Sequence, residues 1–218
     1  MTSFVPYLNF GAGNPVEGWL NVDSSPWFLL PRSAHVVLAA LHLSERSAAF
    51  ARATYAWVRF VPDRPLPLPA ESFEAVYCSH VLEHMPAYAI PHLLTEFHRV
   101  LKPGGVVRVL TPNPETAAQT VLSGCQAWAP VGTVFGTLPA AIARSRLRGA
   151  LECLWGFPSV HKTLILERNV RTALEAMWDV RTGLTYLESE IDRALLERVE
   201  REERCNGASI FELAPKQH

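Results

Sequence analysis

The sequence has no excess of charge of either sign. Its 218 residues include 20 Lys and Arg against 21 Asp and Glu, which gives a formal net charge of −1 at pH 7. A dedicated nucleic-acid binder normally carries a basic excess gathered on one face, so we expect small molecules or proteins as partners and no nucleic acid. The apolar fraction of 49% is that of an ordinary globular protein and excludes a disordered or collagen-like chain.

Cysteine and long apolar runs are also scarce. The four cysteines stand singly, with no C-x-x-C pair to indicate a zinc site or a redox dithiol. The first residues lack the basic flank and apolar core of a signal peptide, so we expect a cytoplasmic protein with reduced thiols. The uncharged stretch Thr116–Ala143 is interrupted by two prolines and three glycines, so we expect no integral membrane span. Both a monomer and a homo-oligomer are compatible with this sequence.

The periodicity of apolar residues predicts alternating strands and helices. Short apolar runs predict strands at Tyr7–Phe10, Trp19–Val22, Tyr55–Val61, Glu74–Cys78 and Val106–Leu110. Helical spacing predicts an interrupted helix over Ala34–Tyr55 and another helix over Ile90–Leu101. Apolar strands separated by helices are typical of a parallel sheet covered on both faces. The predicted fold class is therefore α/β, with a doubly wound, mostly parallel sheet in a single domain that spans residues 1–218.

The pattern changes after the fifth strand. Asn113–Ser159 is rich in Pro, Gly, Ala and aromatic residues and shows no clear strand. We interpret residues 113–160 as an inserted lid over the substrate. Three arginines close to its end, Arg144, Arg146 and Arg148, fit either a phosphate or anionic surface or a solvated helix face. Later strands are predicted at Asp179–Leu187 and Ala208–Ala214.

Several chemically distinctive residues directly follow predicted strands. In an open α/β sheet the ligand lies outside the carboxyl ends of the strands. The residues at these positions are Gly11-Ala12-Gly13, Asp23, Asp63 and Ser79-His80. Glycine lets backbone N–H groups approach a ligand closely, and a carboxylate such as Asp23 can accept two hydrogen bonds from the vicinal hydroxyls of a ribose. Alone, the Gly-x-Gly segment fits a plain tight turn equally well.

Four segments together are more specific. They are LNFGAG (8–13), GWLNVD (18–23), LPLPAESFEAVYCSHVLEH (66–84) and FHRVLKPGG (97–105). In this order they resemble the class I S-adenosylmethionine-dependent methyltransferases, in a type 11-like branch often found beside glycan-assembly enzymes. The resemblance implies a Rossmann-like sheet of seven strands with an antiparallel last strand, and S-adenosyl-L-methionine as the cofactor.

The resemblance also implies which residues contact this cofactor. It assigns the methionine part to the glycine turn, the ribose hydroxyls to Asp23, and the adenine edge to Asp63 or Arg64. Ser79 and His80 would lie under the sulfonium and its methyl group. The implied cofactor contacts are Phe10, Gly11, Ala12, Gly13, Asp23, Asp63, Arg64, Ser79 and His80.

The sequence departs from the usual dinucleotide-binding pattern. Asn14-Pro15 stands where a third glycine is usual, and only ten positions separate Gly13 from Asp23. A Rossmann pattern has a helix and about twenty positions between these points. We therefore expect the first crossover helix to be missing or reduced to a turn, and we do not expect NAD or FAD.

The predicted reaction is methylation of a small-molecule acceptor, with a sugar or glycan hydroxyl implied by the resemblance. A hydroxyl nucleophile needs a general base, and a histidine with its usual pKa of about 6.5 suits that role. His80 is favoured because it directly follows a strand, and His161 is a second candidate. The alternative is a non-catalytic module that binds the cofactor or a protein partner.

A zinc site is a further alternative. His80-Val-Leu-Glu-His84 matches the H-x-x-E-H motif, in which two histidines one helical turn apart bind zinc. That motif needs a helix continuing around it, whereas here a strand precedes it and Pro86 follows it. We therefore predict no metal site.

Overall fold

The computed structural model describes residues 5–13, 15–113, 122, 174–182 and 208–216. Within these residues seven strands form one sheet in the order β3-β2-β1-β4-β5-β7-β6. They are β1 (Tyr7–Phe10), β2 (Leu20–Asp23), β3 (Thr54–Trp57), β4 (Phe73–Ser79), β5 (Leu101–Pro112), β6 (Trp178–Thr182) and β7 (Ala208–Pro215). Strands β1 to β5 pair in parallel, and β7 is antiparallel to both β5 and β6. The predicted α/β fold class and the antiparallel last strand are confirmed.

The part of the chain from β1 to β5 contains three described α-helices: α1 (Arg32–Ala40), α2 (Glu45–Arg52) and α3 (Ala89–Val100). Helices α1 and α2 confirm the interrupted helix, and Ser44 begins α2 by accepting a hydrogen bond from the Ser47 amide. Helix α3 is amphipathic and packs its apolar side on the sheet through Leu93, Leu94, Phe97 and Val100. Two short 3-10 helices cover Pro26–Leu29 and Leu82–His84. No helix in these described ranges is both long and apolar enough to cross a membrane.

Strand β3 is shorter than the sequence predicts. Within the described ranges it lies at the edge of the sheet and pairs with β2 alone, whose last residue, Asp23, is opposite Trp57. Val58 donates one more backbone hydrogen bond to the Asp23 carbonyl. The prediction was wrong for residues 58–61, because β2, its neighbour in the sheet, ends too early to pair with them. Asp63 consequently does not follow the end of a strand directly.

The link between β1 and β2 is unusually short. Among its described residues, 11–13 and 15–19, none is helical, which confirms that the first crossover helix is reduced to turns. Parallel strands are usually joined by a dozen or more residues, most often including a helix. A link this short needs another means of fixing its path.

The side chain of Asn21 fixes the path of the link between β1 and β2. Its Oδ1 accepts hydrogen bonds from Asn9 Nδ2 at 2.9 Å and from the Val16 amide at 2.8 Å. Its Nδ2 donates to the carbonyls of Val16, Trp19 and Thr54 at 2.8, 2.9 and 3.0 Å. One buried amide thus holds β1, the link and β3 together.

Asn21 is also part of a polar row that crosses the sheet. The strand register places Asn21, Asn9, Tyr77, Arg108 and Glu212 side by side on five neighbouring strands. Each is at most 6% exposed. The opposite face is apolar and packs against α3. The sheet therefore has one apolar face and one face with a polar centre.

Replacing Asn21 with Ala should lower the free energy of unfolding by about 2–4 kcal/mol, because several buried backbone groups lose their partner. Urea denaturation would measure the loss. Ser72→Ala is the control, since Ser72 Oγ makes an exposed bond to the Ala70 carbonyl, and it should cost less than about 0.5 kcal/mol. A loss that small for Asn21→Ala would show that the link is held by something else.

Candidate active site

The glycine turn after β1 is the centre of the site. Gly11 and Gly13 have φ angles of +70° and +36°, in the region where a side chain strains the backbone. The amides of Gly11 and Ala12 donate to the Val22 carbonyl at 2.9 and 3.2 Å. The turn is therefore held against β2.

The two glycines differ in what surrounds them. A Cβ on Gly11 would lie 2.2 Å from Val81 Cγ2, so the loop after β4 packs directly on the turn. A Cβ on Gly13 would have Arg46 Nη2 as its nearest neighbour, at 4.0 Å. As far as the described residues go, the space beside Gly13 is therefore open, and a ligand could approach its backbone there.

Asp23 ends β2 and contacts the same turn. Its Oδ2 accepts a hydrogen bond from the Gly13 amide at 3.1 Å, and its Oδ1 accepts one from the Ser25 amide at 2.7 Å. The side chain is half-buried. Each carboxylate oxygen has a second lone pair, so ligand hydroxyls can bind without displacing these amides. The predicted juxtaposition of the glycine turn and the carboxylate is thus present.

His80 follows β4 in an uncommon backbone conformation. Its φ is +53°, although it is not a glycine, and its amide donates to the Leu110 carbonyl at 2.9 Å. Conformations of this kind cost energy and cluster at functional sites. Nδ1 lies 3.1 Å from Oε1 of Glu83, with the His80 side chain 25% exposed and that of Glu83 3% exposed. A part-exposed imidazole therefore rests on a buried carboxylate.

The contact with Glu83 bears on the proton position on His80. A carboxylate oxygen accepts a hydrogen bond from Nδ1 in the tautomer that has the proton on Nδ1 and the lone pair on Nε2. The other oxygen of Glu83, Oε2, is buried and has no hydrogen-bond partner within the described part of the chain.

Burial raises the pKa of the neighbouring Cys78 thiol and the charge of Glu83 raises it further, so Cys78 stays protonated and is a poor nucleophile.

The geometry does not suit the zinc alternative. His80 is in the left-handed region, and Leu82–His84 is a 3-10 helix of only three residues. The two histidines are therefore not one turn apart on an α-helix. Where the structure describes the chain, no three His, Cys, Asp or Glu side chains are grouped to hold a metal ion.

Asp63 and Arg64 lie in an exposed loop. The Asp63 carboxylate is 79% exposed and lies 3.2 Å from Nδ1 of His92 on α3. The contacts among described residues connect neither Asp63 nor Arg64 to Gly13 or Asp23. Their role at the adenine edge stays a prediction.

The remaining predicted residues differ in accessibility. The Phe10 ring lies in the core, edge-on to Phe97 at 5.2 Å, and Ala12 is buried beside Phe28 and Phe50. Both could reach a ligand only through their backbone atoms. Ser79 is half-buried at the end of β4. His161, the three arginines and all of the predicted lid except Asn113 and Leu122 lie outside the described residues.

Sequence reasoning gave Arg46 no role in the candidate site and did not pair Glu83 with His80. Glu83 stands three positions after His80, a spacing that could have indicated the pair. Arg46 of α2 donates a guanidinium hydrogen bond to the Gly13 carbonyl. It lies 33 positions from Gly13, and no local pattern could have revealed this contact.

Gly11→Ala should destabilise the protein more than Gly18→Ala. Both glycines have positive φ, so each change carries about 1–2 kcal/mol of backbone strain. A Cβ on Gly18 would meet no atom of the described residues within 4 Å, whereas one on Gly11 overlaps Val81 and should cost about 1–3 kcal/mol more. Urea unfolding would measure both losses. Adding Val81→Ala should recover most of the excess; equal losses at the two glycines would contradict the packing described here.

Residues 26–109 match the family model described as a methyltransferase domain. The match extends from the first 3-10 helix into β5, so it includes His80 and Glu83 and begins after Asp23. No curated protein matches the chain.

Solved structures resemble the chain at low sequence identity. A SAM-dependent methyltransferase from Archaeoglobus fulgidus is 13% identical, with 98% of this chain and 88% of that chain covered and a TM-score of 0.48. An S-adenosylmethionine-dependent methyltransferase from Mesorhizobium loti is 16% identical, with 98% and 91% covered and a TM-score of 0.48.

The family match and the sheet are mutually consistent. The matched segment contains β3, β4, α3 and most of β5. The sheet to which these three strands belong has seven strands within the described residues. Its last strand along the chain, β7, is antiparallel to β5. Residues 26–109, fewer than half of the chain, are therefore similar to the methyltransferase-domain family.

Proposed function

We propose that this chain is an S-adenosylmethionine-dependent methyltransferase that acts on a hydroxyl oxygen of a sugar or glycan precursor. The observation that supports a hydroxyl acceptor is the His80–Glu83 pair beside the glycine turn, because a hydroxyl needs a base. The sugar class is supported only by the resemblance of the sequence to a branch found beside glycan-assembly enzymes, which is an argument by analogy.

The residues around the turn fit the cofactor chemically. The open space beside Gly13 leaves room for its methionine part. Asp23 keeps lone pairs for two ribose hydroxyls while its amide contacts persist. Bound there, S-adenosylmethionine would supply a methyl group on a positive sulfonium, and in-line attack by the acceptor oxygen on the methyl carbon would break the carbon–sulfur bond and release S-adenosylhomocysteine. Holding donor and acceptor in the right orientation can contribute about 7–11 kcal/mol to such a reaction.

His80 serves as the general base in this proposal. As the acceptor oxygen forms its bond to carbon, it must lose its proton, and Nε2 of His80 has the lone pair to take it. Glu83 stabilises the imidazolium that results, since its carboxylate lies 3.1 Å from Nδ1. General-base assistance of this kind contributes about 10²- to 10⁴-fold in rate.

Location and assembly belong to the proposal as well. The cytoplasm is the proposed location, supported by the free thiol of Cys78 and by the scattered cysteines in the sequence. Both a monomer and a homo-oligomer are compatible with the proposed function.

The proposed function is tested by incubating the enzyme with methyl-labelled S-adenosylmethionine and a panel of small acceptors. The panel should contain free sugars, nucleotide sugars, and amines of matched size. Label should appear as a methyl ether on a sugar-containing acceptor, identified by mass spectrometry. Transfer to amines alone, or binding of the cofactor without transfer to any acceptor, would contradict the proposal.

Asp23→Ala should weaken binding of S-adenosylhomocysteine by about 1–3 kcal/mol, because the ribose hydroxyls lose a buried acceptor. Titration calorimetry would measure the change. Asp179→Ala removes an exposed carboxylate on β6 and serves as the control. If the two variants bind equally well, Asp23 does not contact the ribose.

His80→Ala should lower kcat by about 10²- to 10⁴-fold and leave the affinity for S-adenosylhomocysteine nearly unchanged. Glu83→Gln keeps an acceptor for Nδ1 but removes its charge, so a smaller fall in kcat is expected. Glu74→Gln is the matched control, because Glu74 is an exposed carboxylate on β4, the strand that precedes His80. A fully active His80→Ala enzyme would exclude His80 as the base.

A further inference from the structure

Arg46 contacts the glycine turn from outside the sheet. It is the second residue of α2, and its guanidinium donates a hydrogen bond to the Gly13 carbonyl. The ring of Trp27 lies beside it, with its centroid 5.9 Å from Cζ. The Nε atom is buried and has no hydrogen-bond partner within the described ranges.

Neither ion pairing nor helix stability explains a cation at this position. No carboxylate in the described part of the chain pairs with Arg46, whereas Arg52 on the same helix lies 3.9 Å from Glu17. The first turn of a helix is the positive end of its dipole and favours anions. The guanidinium therefore favours an anion beside Gly13.

The donors of Arg46 suit a small anion with two oxygens. Arg46 Nη2 is the nearest atom to the position of a Cβ on Gly13, at 4.0 Å. A guanidinium presents five N–H donors in a planar fork that matches a carboxylate. Among the described residues, Arg46 donates to one acceptor, the Gly13 carbonyl. Other N–H groups of its guanidinium are therefore left for a ligand.

We propose that Arg46 binds the α-carboxylate in the methionine part of the cofactor. This inference rests on the proposed function, in which the turn faces the methionine part and Asp23 faces the ribose. The α-carboxylate is the one anionic group of the cofactor. A phosphate on the acceptor has similar chemistry, but Arg46 contacts Gly13, which also binds Asp23, whereas the acceptor belongs beside His80.

Two ligands that differ in the amino acid part test the inference. S-adenosylhomocysteine carries the carboxylate, while 5′-methylthioadenosine keeps the adenosine and the thioether sulfur and lacks the amino acid. Both are titrated calorimetrically into the wild type, Arg46→Met, Arg46→Lys and the control Arg52→Met. Arg46→Met should bind S-adenosylhomocysteine about tenfold or more weakly and methylthioadenosine within about twofold of the wild type, because only the first ligand loses a charge-assisted contact. Arg46→Lys should be intermediate, and Arg52→Met should resemble the wild type.

The outcomes separate this inference from the proposed function. If Arg46→Met binds S-adenosylhomocysteine like the wild type, or weakens both ligands equally, the inference is overturned while the cofactor assignment stands. If the wild type binds neither ligand, the proposed function fails and the inference with it. Should Arg46→Met not fold, Arg46→Lys and a salt titration of the wild type decide. Added salt should weaken S-adenosylhomocysteine more than methylthioadenosine, and an equal response would overturn the inference.

Discussion

The candidate cofactor site at the carboxyl ends of β1 and β2 depends on the five hydrogen bonds of the Asn21 side chain. The link from β1 to β2 is too short to contain the crossover helix that usually closes such a connection. A buried amide therefore sets the path of the link, and with it the positions of Gly13 and Asp23. Because both its oxygen and its nitrogen are used, a shift of the link in any direction would break several bonds together.

The turn is where separate parts of the fold meet. Asp23 reaches it from β2, Val81 from the loop after β4, and Arg46 from α2. These residues bring a carboxylate, an apolar contact and a cation to a backbone that has no side chains of its own at Gly11 and Gly13. The chemical variety of the site thus depends on glycines that let three elements approach closely.

The sequence predicted the features that leave a local pattern and missed those that depend on tertiary contacts. Buried strands such as β4 and the amphipathic helix α3 were predicted because apolar periodicity records burial residue by residue. Strand β3 was overextended, since pairing at an edge depends on where its neighbour ends. The glycine turn and Asp23 were predicted from their places after strands. Arg46 was not, because its contact with Gly13 is tertiary and leaves no local pattern, and Glu83 was noticed only as part of a zinc-like motif.

The contact between Val81 and Gly11 has a thermodynamic consequence. Val81 is bonded to His80, and Gly11 belongs to the turn assigned to the methyl donor, so the two half-sites share one tightly packed boundary. Densely packed interiors transmit displacement. Under the proposed function, a donor that displaced this boundary would change the free energy of acceptor binding, and linkage would require the converse effect to be equal in size. The Val81–Gly11 contact would then be the route by which each half-site responds to the occupancy of the other.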